Sequence, residues 1–450
     1  MQKILCFTTA LSCSLLPLFS GCSSNTSQSN GSSALNSAVN AVAPIKKPLP
    51  LIVAPENPDP ATNAKVEQYL KSIAPLGSAQ QTHGVWMQSG DKLLANHQGT
   101  VPITAASISK VATTLAALKI LGPDHVFVTQ FGTNGTIENG VLKGDLIVQG
   151  GQDPFFVWEE VIALGNTLNQ MGIKRVTGNF VIVDKFYMNF NRSPATVGRL
   201  FQIGLNSKAW TPLVNKLYAT LPSGTPKPQV IINGKVKTLP SLPSDFKLLV
   251  RHNSYPLAEL LKKMNNYSNN AMADMIAEAI GGAQVVSQKA AEAAEVPQNE
   301  IYLINGSGLT YENKISPRAA VGMFRAIEKH LQQYNMTVAD VFTIAGQDKG
   351  VLEQRKIPKF AVVKSGSLDT VSALAGALPT QNHGTVWFAI MNKSGDLVKY
   401  RKEQDIFLSK KTSEWGVATT LPTELTPSPA RKGKSSNEII GLQQAGTSNQ

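Results

Sequence analysis

The sequence predicts an α/β (α+β) fold in which an antiparallel sheet is covered by helices and interrupted by a smaller inserted unit. Three observations predict it. An Ala-rich helical run, Ala106 to Leu121, lies early in the chain; three consecutive strand-like runs, Phe360 to Lys364, Ser372 to Leu378 and Gly384 to Met391, lie late; and a long stretch with strands and helices of its own separates them. At 450 residues, 42% hydrophobic and 16% charged, the chain has the size and balance of a folded protein with room for two compact units.

The elements follow in order. Gln2-Lys3 precedes an apolar run, Ile4 to Phe19, that is too short for a stable membrane span, and residues 1–21 read as a secretory signal. The run ends in Leu18-Phe19-Ser20-Gly21-Cys22, which resembles the lipobox of bacterial lipoproteins. That resemblance makes Cys22 a lipidated N-terminus and implies a membrane anchor; ordinary cleavage near Gly21 is the alternative. Both put the mature protein outside the cytoplasm, in the periplasm or cell envelope. Residues 22–63, rich in Ser, Asn, Ala and Pro, read as a flexible tether. Segments 64–128 and 245–411 form the main body, 129–244 an insert, and 412–450 a polar, disordered tail.

Within the body, Ala64 to Ile73 reads as a helix, and His83 to Met87 with Leu93 to His97 as a hairpin about Ser89-Gly90-Asp91. Gly122-Pro123 ends the Ala-rich helix. The insert opens strand-like from His125 to Gln149, with Asn134-Gly135 and Asn139-Gly140 as turns. Val157 to Met171 follows as a helix and Gly178 to Val183 as a strand, while the Pro-rich stretch from Asn191 to Leu242 yields no assignment. Pro256 to Ile280 is helical with a break near Asn265 to Asn270. Pro317 to Leu331 is a further helix, and Lys399 to Leu408 closes the fold.

Composition excludes several chemistries. All three cysteines, Cys6, Cys13 and Cys22, are N-terminal, so the body has no disulfide, thiolate metal site or cysteine nucleophile. The six histidines are scattered, none near Ser107, and a Ser-His-Asp triad is unsupported. A net charge of +12 suits an anionic setting, yet no Arg-rich helix or aromatic-basic patch turns it into nucleic-acid recognition. No metal or organic cofactor is called for.

Three short motifs carry chemistry. In Ser107-Ile108-Ser109-Lys110, a serine at a helix start has a lysine one turn later on the same face. A serine hydroxyl needs an adjacent base, and a lysine can be that base when burial lowers its pKa. The helix N-terminus also offers a backbone N–H to an oxyanion. Ser89…Lys92 and Ser244…Lys247 share the spacing but sit in a turn and a loop; only Ser107 leads an apolar helix. Ser268-Asn269-Asn270 lies in the break between helices, where Ser268 can relay a proton to a leaving amine and Asn270 can hold a substrate amide and orient Lys110. Lys364-Ser365-Gly366-Ser367 ends an apolar strand whose edge can pair with an extended peptide. There Lys364 supplies a cation, Ser365 a hydroxyl for a carboxylate, Gly366 close backbone approach, and Ser367 a second oxyanion N–H. Each motif alone is also an ordinary cap, turn or strand end. Their order SxxK, SxN, K[ST]G, each in its fitting context, is what β-lactamases and penicillin-binding proteins display.

The chain resembles the class C low-molecular-mass penicillin-binding proteins, the D-alanyl-D-alanine carboxypeptidase/endopeptidase family of the penicillin-binding protein 4 type. Beyond the triplet, Gly144-Asp145-Leu146-Ile147-Val148-Gln149-Gly150-Gly151-Gln152-Asp153-Pro154 is similar to that family's GxLxVxGGGDP segment. Asn305-Gly306-Ser307-Gly308-Leu309 is similar to its DGSGL segment, and Gly346-Gln347-Asp348 with Gly350-Val351-Leu352 and Arg355 to its GxDGTLxxR segment. Two departures stand out: Lys349 is not expected, and the interval from Ser107 to Ser268 is short, so a domain nested in the insert is reduced or missing.

The resemblance implies a discontinuous transpeptidase/β-lactamase-like domain that removes the terminal D-alanine from peptidoglycan stem peptides through an acyl-enzyme on Ser107, with β-lactams as covalent inhibitors. Asp153, with Phe155, Phe156 and Trp158, is a candidate for binding the stem-peptide side chain; an Asp-Pro turn over core aromatics is the plainer reading. Cleavage of cross-links, a β-lactamase using Glu300, and a non-catalytic wall-binding or penicillin-sensing lipoprotein are the alternatives.

Overall fold

A computed structural model of the protein describes residues 50–74, 82–430 and 433–440. The signal segment, Cys22 and the tether up to residue 49 lie outside them. No helix among the described residues is long and apolar enough to cross a membrane.

The chain enters the body through α1 (Pro60–Ile73), four residues earlier than expected. Asp59 caps it by accepting from Thr62 N at 2.7 Å, and Pro60 presets the first turn. Next come β1 (His83–Ser89) and β2 (Lys92–His97), then α2 (Ser109–Leu121). After the insert the chain forms α3 (Leu257–Asn266), α4 (Asn270–Ala279), α5 (Ala283–Ala294) and α6 (Pro317–Leu331). The short strand β3 (Thr343–Ile344) leads to β4 (Val362–Leu368), β5 (Val371–Thr380) and β6 (Gly384–Lys393), and α7 (Leu397–Trp415) closes the body. The six strands form one antiparallel sheet in the order β3-β4-β5-β6-β1-β2.

Alternation along the strands builds two cores. Ala373, Ala375 and Ala377 on β5, with Trp387 and Ala389 on β6, face the layer that contains α2 and α6. Leu374, Leu378, Phe388 and Ile390 face the opposite layer, where Tyr69 and Leu70 of α1 meet Tyr400 and Leu408 of α7. The alanines let the helical layer approach closely. α2 is buried from Ser109 through Leu118, packed against α5 and α6, so its N-terminus is held from all sides. Each fully buried Leu or Val there contributes about 1.5–3 kcal/mol.

The insert begins with strand Val128–Thr133 and returns through Lys247–Asn253. These strands sit in a mixed six-stranded sheet with Leu146–Gly151, Phe180–Lys185 and Val236–Leu239. Phe131, Phe156, Phe180, Phe186 and Phe201 form its aromatic core; the rings of Phe180 and Phe201 stack at 4.3 Å. The unassigned stretch contains helices Pro194–Leu205 and Pro212–Tyr218, the first burying Val197, Phe201 and Leu205 on one face.

The expectation of a disordered tail after residue 411 is corrected where residues are described. α7 continues to Trp415, a 3₁₀ turn at Thr423–Leu425 buries Leu425, and Ser436–Ile439 adds to the insert sheet beside Lys247–Asn253. That strand satisfies edge backbone groups which its polar composition does not reveal.

Candidate active site

Ser107 sits in a 3₁₀ turn, Ala106–Ile108, that runs into α2, and Ala106 is held at φ +47°. Lys110, in the first α-helical turn, is fully buried and donates to Ser107 Oγ at 2.9 Å, Asn270 Oδ1 at 2.7 Å and the Ser307 carbonyl at 2.7 Å. Three acceptors hold one amine against one hydroxyl. Burial pushes the Lys110 pKa down to about 7, opposed by the Asp274 carboxylate.

Ser268 occupies the break between α3 and α4 at φ +50°, where Asn269 caps α4 by accepting from Met272 N at 3.0 Å. This geometry starts α4 at Asn270 and aims its side chain at Lys110. The buried Lys364 donates to Ser268 Oγ at 3.0 Å and to the Ser365 carbonyl at 2.7 Å. Burial, and then the charge of Lys110, hold Lys364 well below the usual lysine range.

The KSGS motif lies inside β4 rather than at its end. β3 pairs only with Val362 and Val363, and among the described residues no backbone pairs with the outer edge from Lys364 to Leu368. A Cβ on Gly366 would stand 2.7 Å from the Ala105 carbonyl and 3.0 Å from Ser107 N, so only glycine lets this edge lie over the serine turn.

The segment Asn305 to Leu309 closes the back of the site. Gly308, at φ +77°, would place a Cβ 1.8 Å from the Ala106 carbonyl. Ser307 N donates to Asp274 Oδ1 at 2.9 Å, and Asn313 Nδ2 joins Ser109 Oγ at 2.9 Å to Asn305. Ser109, the second serine of SxxK, thus has a structural contact. The third family-like segment also braces the site. Asp348 accepts from the buried Lys262 at 2.5 Å, and Arg355 grips Asp405 of α7 through bonds of 2.8 to 3.1 Å.

A cleft of about 1070 Å³ opens over Ser107, Ser268, Asn270, Ser365 and Ser367. The buried amines lie beneath them, and α7 forms the far wall. No residue of the insert lines it. Asp153, the candidate side-chain subsite, is buried inside the insert. It accepts from Phe155 N at 2.8 Å and lies 3.4 Å from His252 Nε2, while Phe156 and Trp158 are core. His252 is held above the usual histidine value: burial opposes charge, but Asp153 and Glu160 outweigh it. Glu300 is likewise buried, accepting from Ser316 and paired with Arg318, and does not line the cleft. The sequence reading missed Asp274, which shares α4 with Asn270 one turn earlier, and Arg401, which donates to Ser367 Oγ at 2.6 Å and which nothing in the local sequence marks.

Comparisons with known proteins bear on the family and the fold. The family model described as "D-Ala-D-Ala carboxypeptidase 3 (S13) family" matches residues 62–196 and 227–411. The D-alanyl-D-alanine carboxypeptidase DacB of Haemophilus influenzae is 24% identical over 384 residues, covering 64% of this chain and 79% of the relative. A penicillin G-acylated predatory endopeptidase from Bdellovibrio bacteriovorus shares the fold at TM-score 0.64 and 22% identity, covering 75% of this chain and 94% of that one. Penicillin-binding protein 4 from Haemophilus influenzae, complexed with a β-lactam, shares it at TM-score 0.56 and 21% identity, covering 77% and 99%.

Proposed function

The chain belongs to the D-Ala-D-Ala carboxypeptidase 3 (S13) family, and we propose that it is a serine hydrolase that removes the terminal D-alanine from peptidoglycan stem peptides. Family membership bears out the resemblance read from the motifs. The observation that carries the mechanism is the contact of Lys110 with Ser107: an amine with a pKa of about 7, 2.9 Å from the hydroxyl, is a base matched to neutral pH.

Ser107 Oγ attacks the carbonyl carbon of the penultimate D-alanine as its proton passes to Lys110. The Ser107 and Ser367 N–H groups receive the oxyanion. The C–N bond then breaks, and the departing amine takes the proton that Lys110 received, relayed through Ser268, which Lys364 holds in place, so that Lys110 is neutral again. Asn270 holds both the acyl-side amide and Lys110. Water attacks the ester, Lys110 accepts its proton and passes it to Ser107 Oγ as the ester C–O bond breaks, and the free serine is restored. The substrate enters as an extra strand along the open edge of β4. β-Lactams present an equivalent acyl group and acylate Ser107. The enzyme works outside the cytoplasm, tethered by a lipid on Cys22.

Incubation with a pentapeptide stem tests the reading: free D-alanine appears with wild type and vanishes with Ser107→Ala, whereas release by that variant rejects it. Cross-link cleavage is a second reading. It is favoured by the size of the cleft, which leaves room along α7 for a leaving group larger than alanine.

A further inference from the structure

Away from the catalytic cleft, a groove of about 950 Å³ runs between α5 and the strand Ile301–Tyr302. Gln284 and Gln288 stand one turn apart on α5, and Gln298 and Asn299 lie in the 3₁₀ turn that leads into the strand. None of the lining residues is charged, so the groove holds neither an anion nor a cation by ion pairing. Four carboxamides instead offer donors and acceptors side by side. Gln298 Nε2 donates to Ser287 Oγ at 3.1 Å and to the Ile301 carbonyl at 3.2 Å. That commits the amide nitrogen to the fold and leaves Oε1 to accept from a ligand.

Tyr302, on the wall of the same groove, is 57% exposed. A tyrosine ring left that open beside amides presents an apolar face and a hydroxyl together. Pyranose rings carry the matching surfaces, C–H groups on their faces and hydroxyls at their rims.

The position of the groove ties it to the nucleophile. Tyr302 pairs with Lys314, and Lys314 with Thr104, three residues before Ser107. Two strand spacings put the Tyr302 backbone about 10 Å from Thr104. Three residues of chain add at most about 11 Å, so the separation from Ser107 is no more than roughly 20 Å. The loop that joins the strand of Tyr302 to that of Lys314 exposes Leu309 and Tyr311, and Leu309 also lines the catalytic cleft. Thr104 Oγ1 fixes this loop by donating to the Tyr311 carbonyl at 3.1 Å.

We infer that the groove binds the glycan strand from which the stem peptide hangs. This rests on the peptidase reading given above. The amino sugars of that strand carry N-acetyl amides and hydroxyls. The carboxyl of muramic acid is spent in the amide bond to the peptide, so the polymer there is neutral, as the groove is. The carboxamides take the N-acetyl and hydroxyl groups, and Tyr302 covers a sugar face. The leaving group departs along α7, so the acyl part of the stem runs the other way, past Leu309. Four extended residues between the sugar and the scissile bond span about 13–14 Å, which with the lactyl link fits the separation of Tyr302 from Ser107.

Two substrates test the inference: a pentapeptide stem alone, and the same pentapeptide on a tetrasaccharide of alternating N-acetylglucosamine and N-acetylmuramic acid. Wild type, Tyr302→Ala, Tyr302→Phe and Gln288→Ala are compared by D-alanine release, and calorimetry follows the binding of chitotetraose. Wild type shows a kcat/KM about 10-fold higher on the sugar-borne peptide, chiefly through KM. Tyr302→Ala and Gln288→Ala bring that ratio toward one and weaken chitotetraose binding. Tyr302→Phe, which keeps the ring, retains most of both. A wild type indifferent to the sugar, or an equal loss on both substrates in the two alanine variants, overturns the inference. Should wild type release D-alanine from neither substrate, the peptidase reading fails by itself. Chitotetraose then decides: binding that weakens in Tyr302→Ala supports the groove, and no binding, or binding indifferent to that change, overturns it.

Discussion

Lys364 Nζ stands 3.0 Å from Ser268 Oγ, so the second buried amine serves a different serine from the one that Lys110 contacts. In the proposed mechanism Lys110 takes and returns the proton of the nucleophile, and Lys364 holds the serine that relays a proton to the departing nitrogen. Replacing Lys364 with Met removes the donor behind Ser268 while filling its volume. D-alanine release should fall by about 100-fold or more, the scale of a lost acid–base step. Steady-state hydrolysis of the pentapeptide checks it.

Asp274 supports the charged form of Lys110 and accepts from Ser307 N. Asp274→Asn retains an acceptor oxygen but loses the negative charge. The Lys110 amine then gives up its proton more readily, and the acid limb of the kcat/KM profile moves to lower pH. A pH series on the two proteins shows the direction.

Gly366 brings β4 close over the serine turn. In Gly366→Ala, the added methyl meets the Ala105 carbonyl at 2.7 Å and Ser107 N at 3.0 Å, both backbone, so β4 must withdraw. That displaces an oxyanion donor, and acylation by penicillin should slow by about 10²–10³-fold.

The main body was legible in sequence because its signals are local. The alternation of β5 and β6, the Gly122-Pro123 stop of α2 and the break at Ser268 each depend on a few adjacent residues. The three motifs were legible for the same reason, and the structure brings Ser107, Lys110, Ser268, Asn270 and Lys364 together. What escaped depends on remote partners. The face of Val197, Phe201 and Leu205 was hidden among prolines, and Ser436–Ile439 is a strand only because Lys247–Asn253 offers it an edge. For Asp153 the local sequence offered both a subsite and an Asp-Pro turn, because its partner, His252, lies far along the chain on a returning strand. Arg401 belongs to the same class: Ser367 gives it meaning, and only the fold joins them.

Glu328 offers a test of stability rather than catalysis. Burial raises its pKa to about 7, although its carboxylate accepts from Val338 N at 2.8 Å. The group stays protonated in the folded protein where the unfolded chain ionises, so stability falls as pH rises from about 4.5 through 7. Glu328→Gln keeps the acceptor and removes this loss. At pH 8 it should be more stable than wild type by roughly 2–3 kcal/mol, and near pH 4 equal to it. Urea unfolding at the two pH values decides.

The account stands or falls on a neutral amine at Lys110 activating one hydroxyl. The direct measurement is the pH dependence of penicillin G acylation, with the adduct mapped by mass spectrometry. A single adduct on Ser107, formed at a rate that rises through one ionisation near 7, is the predicted result. An adduct on another residue, or a rate flat across neutrality, would contradict it.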